Sequence, residues 1–240
     1  MAKRLVVFQH GPWDGMGRLL AGAAKKTGAK LDVIEVWHQS IPNLGPYNGL
    51  IVLGGSANVD QEQQYPFLRT EKEAIAASIR DDRPYLGFCL GHQLLAATLG
   101  AKIGTNIAAS IGIVRGYLTH DGRGHQIFSG FDKTLPLFKW HTQAIQEPLP
   151  KTLQVLATSA ECPVEAISIK DRPHLVGLQF DNYAADPADV ATWLTKDERW
   201  LGTLNNGGIN AANIMAGAKQ YCAVLRDDFE RLFTNFLGFT

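Results

Sequence analysis

The chain has 240 residues, with 23 Lys plus Arg balanced by 23 Asp plus Glu, which allows a full hydrophobic core and argues against a nucleic-acid-binding face. The three cysteines, Cys89, Cys162 and Cys222, are sparse and widely spaced, which argues against a disulfide framework and for a reducing compartment. No apolar run approaches the ~18 residues of a membrane span, and the stretch after Lys3 and Arg4 is too short for a signal-peptide core, so a cytoplasmic protein is expected.

In chain order, Leu5 to Phe8 reads as a buried strand and Met16 to Lys26 as a helix, with Gly28 near its end. Leu31 to Val36 and Gly49 to Gly55 are the next strands, Tyr65 to Arg80 an amphipathic helix, Pro84 to Cys89 a strand, and Leu94 to Gly100 a helix. Strand–helix alternation of this kind predicts a doubly wound, mostly parallel α/β sheet. Five strand-like runs follow, at Ile111 to His120, Thr134 to Trp140, Leu153 to Ser159, Val164 to Lys170 and His174 to Phe180. They predict a small antiparallel insertion and one strand returning to the main sheet.

Asp186-Pro187 starts a helix running to about Thr195, and Asn205 to Gly208 is a break. Ala218, Cys222, Leu225, Phe229, Leu232 and Phe236 then recur at three- and four-residue steps, the apolar face of a long helix. That face is expected to pack on its own domain, with a homodimer surface as the alternative. The expected organisation is a domain over residues 1–185 and a helical extension over 186–240.

Cys89 lies between a buried strand and a helix, with Gly87 and Gly91 two residues to either side. Small residues there permit a sharp turn that pushes the side chain out at the carboxyl end of a sheet, with a helix N-terminus behind it. Such a place favours a thiolate and offers backbone N–H groups to an oxyanion. The plainer reading is an inert small hydrophobe beside a tight turn.

The run Gly87-Phe88-Cys89-Leu90-Gly91-His92-Gln93 resembles the nucleophile motif Gly-x-Cys-x-Gly-x-Gln of class I glutamine amidotransferases. Leu53 to Asp60 is similar to that family's oxyanion loop, and Phe138 to Ile145 to the loop that closes on bound glutamine. Val176 to Phe180 resembles the strand leading into the family's His-x-Glu pair, and Val7 to Gly17 the first strand and loop of a stand-alone subgroup. The resemblance implies a flavodoxin-like fold and a cysteine that attacks a glutamine side-chain amide, giving glutamate and ammonia. It implies Cys89 as nucleophile, Gly55 and the Leu90 N–H as oxyanion donors, and Gln93 with Trp140, His141 and Thr142 as the substrate-holding residues. No cofactor or metal is implied. The ligand would be glutamine or a similar small molecule, and the ammonia acceptor a separate synthetase. No nucleic acid or membrane partner is expected.

The pattern departs at one loop. Where the family has His and Glu, this chain has Asp181 and Tyr183. A carboxylate (reference pKa ~3.9) is a poor base for a thiol (~8.5), and an anion beside the thiol raises its pKa further. Among the seven histidines, His141 is the candidate replacement base. His10 and His92 are read as packing or surface histidines, and His174 as lying at the opposite end of the sheet. Three readings follow: a glutaminase with a displaced base, a ligand- or partner-binding protein that has lost turnover, and a different cysteine-dependent amide hydrolase. Glutamine turnover is expected to be absent or very slow, and Cys89 to be the most accessible thiol. No His, Cys and Asp spacing suggests a metal site, and His120 to His125 reads as a polar turn.

Overall fold

A computed structural model of the chain describes residues 2–204 and 209–240; the break expected at Asn205 to Gly208 lies outside them. Nine strands form one mixed sheet. Their order across it is β2 (Lys30–Glu35), β1 (Arg4–Gln9), β3 (Gly49–Val52), β4 (Tyr85–Phe88), β9 (Arg172–Leu178), β8 (Ala166–Ile169), β7 (Leu153–Ser159), β5 (Lys102–Leu118) and β6 (Thr134–Gln146). The pairs from β2 through β4 to β9 are parallel, and those from β9 through β8 and β7 to the β5–β6 hairpin are antiparallel. The antiparallel strands are therefore no separate layer. They extend the same sheet edge to edge, and the returning strand β9 is the seam.

Helices α1 (Gly17–Thr27), α5 (Pro187–Lys196) and α7 (Ala211–Leu237) lie on one side, and α2 (Phe67–Arg80) and α3 (Leu90–Thr98) on the other. Period-two alternation explains why the strands are apolar throughout. Leu5 and Val7 of β1 join the core under α1 and α7, while Val6 and Phe8 join the core under α2 and α3. Gly28 closes α1 in the left-handed conformation, with φ 74°. Asp186 caps α5 through the Ala188 N–H, with Pro187 in the first turn. Residues His120–Gly124 form a short helix, α4, in place of the expected turn. Its cap is the Thr119 hydroxyl, which accepts the Gly122 N–H.

Helix α7 buries Ala218, Leu225, Phe229, Leu232, Phe233 and Phe236 in the same core as α1 and the sheet. Cys222 is a correction to the predicted face. It is half-buried at the edge of the stripe, between exposed Tyr221 and Ala223, and takes an N–H from Arg226 at 3.4 Å. Spacing alone places a residue on the flank or the centre of a stripe equally well. No helix among the described residues is long and apolar enough to cross a membrane.

Candidate active site

Cys89 joins β4 to α3 with φ 44° and ψ −101°, a region that costs a non-glycine residue about 1–3 kcal/mol. The surroundings hold it there. Its N–H donates to Leu178 at 2.8 Å, and its carbonyl accepts the Gln93 N–H at 3.0 Å. Gly91 is required by close approach, because a Cβ would sit 2.3 Å from the Val52 carbonyl oxygen. The strained elbow expected from the two glycines is present.

The side chain enters a cavity of about 310 Å³ at the carboxyl edge of the parallel strands. Cys89, Gly55, Gln93, Trp140, His141, Thr142 and Asp181 all line it, brought together from separate segments of the chain. Leu90 and Tyr183 lie outside the lining. The Leu90 N–H is near enough to the Cys89 thiol to favour its thiolate. Tyr183 is packed behind the cavity, 4.8 Å from the Phe88 ring, and its hydroxyl accepts the Gly54 N–H at 3.2 Å. No hydrogen bond links Tyr183 to Asp181 among the described residues, and Asp181 Oδ1 has no partner. A Cβ on Gly54 would stand 2.8 Å from Asp181 Oδ1, 3.1 Å from the Tyr183 hydroxyl and 3.4 Å from Cys89 Cβ. Those three side chains converge on one point that only glycine leaves open.

The elbow does not expose its thiol as expected. Cys89 is 7% exposed and Cys162 0%, leaving Cys222 the most accessible thiol. The Trp140–Gln143 segment and residues from α5 and α6 (Glu198–Thr203) line the cavity into which Cys89 points, so the sheet edge is covered.

Burial pushes the Cys89 thiol well above its ordinary range, and the Asp181 charge adds to that. Lys139 and the Leu90 N–H act in the opposite direction. Burial also pushes the Asp181 carboxyl well up, against the pull of Lys139. Lys139 is fully buried on β6 and bonds Glu165, whose other contact is the Ser159 hydroxyl at 2.6 Å. Nothing in the strand-like pattern of Thr134 to Trp140 marks this lysine as a core residue.

The histidines divide clearly. His141 donates Nδ1–H to the Gln143 carbonyl at 2.9 Å, which leaves Nε2 a bare acceptor with no partner. Burial and then Lys139 hold its pKa well below the usual value. His92 is wholly buried rather than a surface or loop residue, and burial pushes it down to about 3. His10 is also buried, pinned between the Gly54 carbonyl at 2.8 Å and Glu71 at 2.9 Å, beneath Gly55. Burial opposes its charge and Glu71 favours it, with a net upward shift. His174 bonds Asp82 at 3.0 Å at the amino end of the sheet.

Among the lining residues that the sequence does not single out for the site are Asp14, Trp193, Asp197 and Trp200. Asp14 follows β1; the others come from α5, α6 and their junction. No group of three or more His, Cys, Asp or Glu among the described residues could hold a metal ion.

A family model, glutamine amidotransferase class-I, matches residues 13–180. The chain belongs to this family. It is 36% identical over 97 residues to a glutamine-hydrolyzing GMP synthase subunit of Pyrococcus abyssi, covering 40% of this chain and 49% of that one. The chain thus spans about half the length of that relative. The corresponding glutamine-hydrolyzing GMP synthase subunit of Saccharolobus solfataricus is 29% identical over 179 residues, covering 73% of this chain and 86% of that protein. The crystal structure of a Thermotoga maritima glutamine amidotransferase superposes with a TM-score of 0.87 at 22% identity, over 98% of both chains. That likeness establishes the amidotransferase fold, the C-terminal helices included.

Proposed function

We propose that this class I amidotransferase homologue holds glutamine or a similar small carboxamide against Cys89, and that its glutamine turnover is very slow or lost. One observation carries the reading: a buried carboxyl, Asp181, stands beside the thiol where activation calls for an imidazole. Asp181 and Tyr183 occupy the family's His and Glu places in this reading. Burial and Asp181 both favour the neutral thiol, and an uncharged thiol is a weak nucleophile. Losing the imidazole also removes proton donation to the departing ammonia, and acid–base assistance is typically worth about 10²- to 10⁴-fold.

The remaining parts suit amide binding. The Gly55 and Leu90 N–H groups are the oxyanion donors in this reading, and Gln93 with the Trp140–Thr142 backbone holds the ligand's far end. His141 lines the cavity, but its unpartnered Nε2 is shielded, and its lowered pKa makes it a weak acceptor for a thiol proton. Kinship with the glutamine-hydrolyzing GMP synthase subunits supports a separate synthetase as the acceptor of any ammonia released. Three free cysteines support a reducing, cytoplasmic setting.

The test is glutamate release from glutamine by the purified chain, beside Cys89→Ala and Asp181→His. The parent should be silent or at least about 10²-fold below a typical ~10 s⁻¹. A parent rate near that value, abolished by Cys89→Ala, would overturn the reading.

A further inference from the structure

The cavity wall beyond the elbow is acidic and aromatic. Asp14, Asp181 and Asp197 line it, and no lysine or arginine among the described residues does. Trp140 donates its indole N–H to Asp197 at 2.8 Å, and its ring centroid lies 5.6 Å from Trp193 and 6.4 Å from Trp200. Asp197 is close enough to Asp14 for its charge to push the Asp14 carboxyl up. The buried cation that acts on the site, Lys139, is taken up by Glu165 behind the cavity. Asp181 Oδ1 and the bare acceptor His141 Nε2 have no protein partner and are themselves shielded from solvent. Indole rings and carboxylates lining one cavity together match a ligand that is positively charged and carries N–H donors. The carboxylate of an anionic ligand would meet three acids and no side-chain cation.

We propose that the wall formed by Asp14, Asp197, Trp140 and Trp200 binds the ammonium end of a small amine-bearing carboxamide, so that this protein selects cationic amides over anionic ones. The inference rests on the reading that Cys89 faces a carboxamide, and it names the charge of the molecule carrying that group. It also gives the C-terminal helices a role in selectivity, since Trp193, Asp197 and Trp200 all come from them.

Calorimetric titration of the full chain at pH 7.5 tests this with three probes of one length: 5-aminopentanamide (cation), pentanamide (neutral) and glutaramate (anion). The cation should bind roughly tenfold tighter than the neutral amide, with the anion weakest. Asp197→Asn keeps an acceptor for the Trp140 N–H and removes the charge. In that variant the ratio of cation to pentanamide affinity should fall towards parity. Asp14→Asn should act in the same direction. Equal binding of all three probes, a preference for glutaramate, or a cation preference that survives both substitutions would overturn the proposal. So would failure of every probe to bind. If pentanamide binds without any charge preference, the ammonium wall falls and the carboxamide reading stands. If pentylamine binds with the same dependence on Asp197 and the amide adds nothing, the wall stands and the carboxamide reading falls.

Discussion

At Cys89 the helix N-terminus and Lys139 favour the thiolate, while burial and Asp181 favour the thiol; burial is the largest effect, and the thiol wins. Asp14 shows a similar tension in a binding group. Burial, then the Asp197 charge, push its carboxyl up to about 6, against His10 and the Ser56 hydrogen bonds. The sign for stability follows. Above pH ~6 Asp14 is charged in both folded and unfolded chains and the fold carries the penalty; below the unfolded value of ~3.9 it is neutral in both and the penalty vanishes. Asp14→Asn should therefore stabilise the protein at pH 7.5 by up to about 3 kcal/mol and change little near pH 3.5, read as urea midpoints. An equal gain at both pH values would show that charge is not the cause. For ligand binding the sign reverses. Affinity for 5-aminopentanamide should fall as pH drops from 7.5 to 5, because Asp14 neutralises in that window while the amine stays charged. Asp197, His10, Asp181 and Cys89 also surround Asp14, so the change should be broader than a single titration.

The strands most legible in the sequence are those buried on both faces, such as Leu5 to Phe8, where every residue is apolar. Strand β5 shows an apolar pattern only from Ile111 yet begins at Lys102, because its first half is a largely exposed hairpin arm whose pairing with β6 slips between Thr105 and Ser110. An arm like that carries no continuous apolar signal. Lys139 is illegible for a different reason: its partner Glu165 lies far along the chain, and only the fold pairs them. Lys139→Met should cost about 3–5 kcal/mol in chemical unfolding, because it strands a buried carboxylate. Adding Glu165→Leu should recover part of that loss. A single substitution that leaves the urea midpoint unchanged would show that Glu165 is neutralised without the lysine.

Across the whole molecule, the cavity joins residues from position 14 to position 200. The part that could be read in the sequence is the part carried by contiguous motifs: Cys89 with Gln93, Gly55 in its loop, Trp140 to Thr142, and Asp181 by its place after β9. Trp193, Asp197 and Trp200 could not be read that way, since they reach the cavity only because α5 and α6 fold back over the sheet edge. The same extension completes the core through Phe229, Phe233 and Phe236. A chain ending before Asp186 should therefore lose cooperative thermal unfolding and near-ultraviolet circular dichroism. A cooperative transition in that truncated chain would mark residues 186–240 as an independent addition.

The proposed loss of turnover depends on the Cys89 thiol staying protonated, through burial first and then Asp181 beside it. The direct measurement is the pH dependence of iodoacetamide alkylation at Cys89, in a Cys222→Ser background, with and without Asp181→His. The parent should react measurably only above the ordinary thiol range near pH ~8.5, and Asp181→His should move the profile down by at least about one pH unit. A parent that alkylates fully at pH 7, or a profile unmoved by Asp181→His, would contradict it.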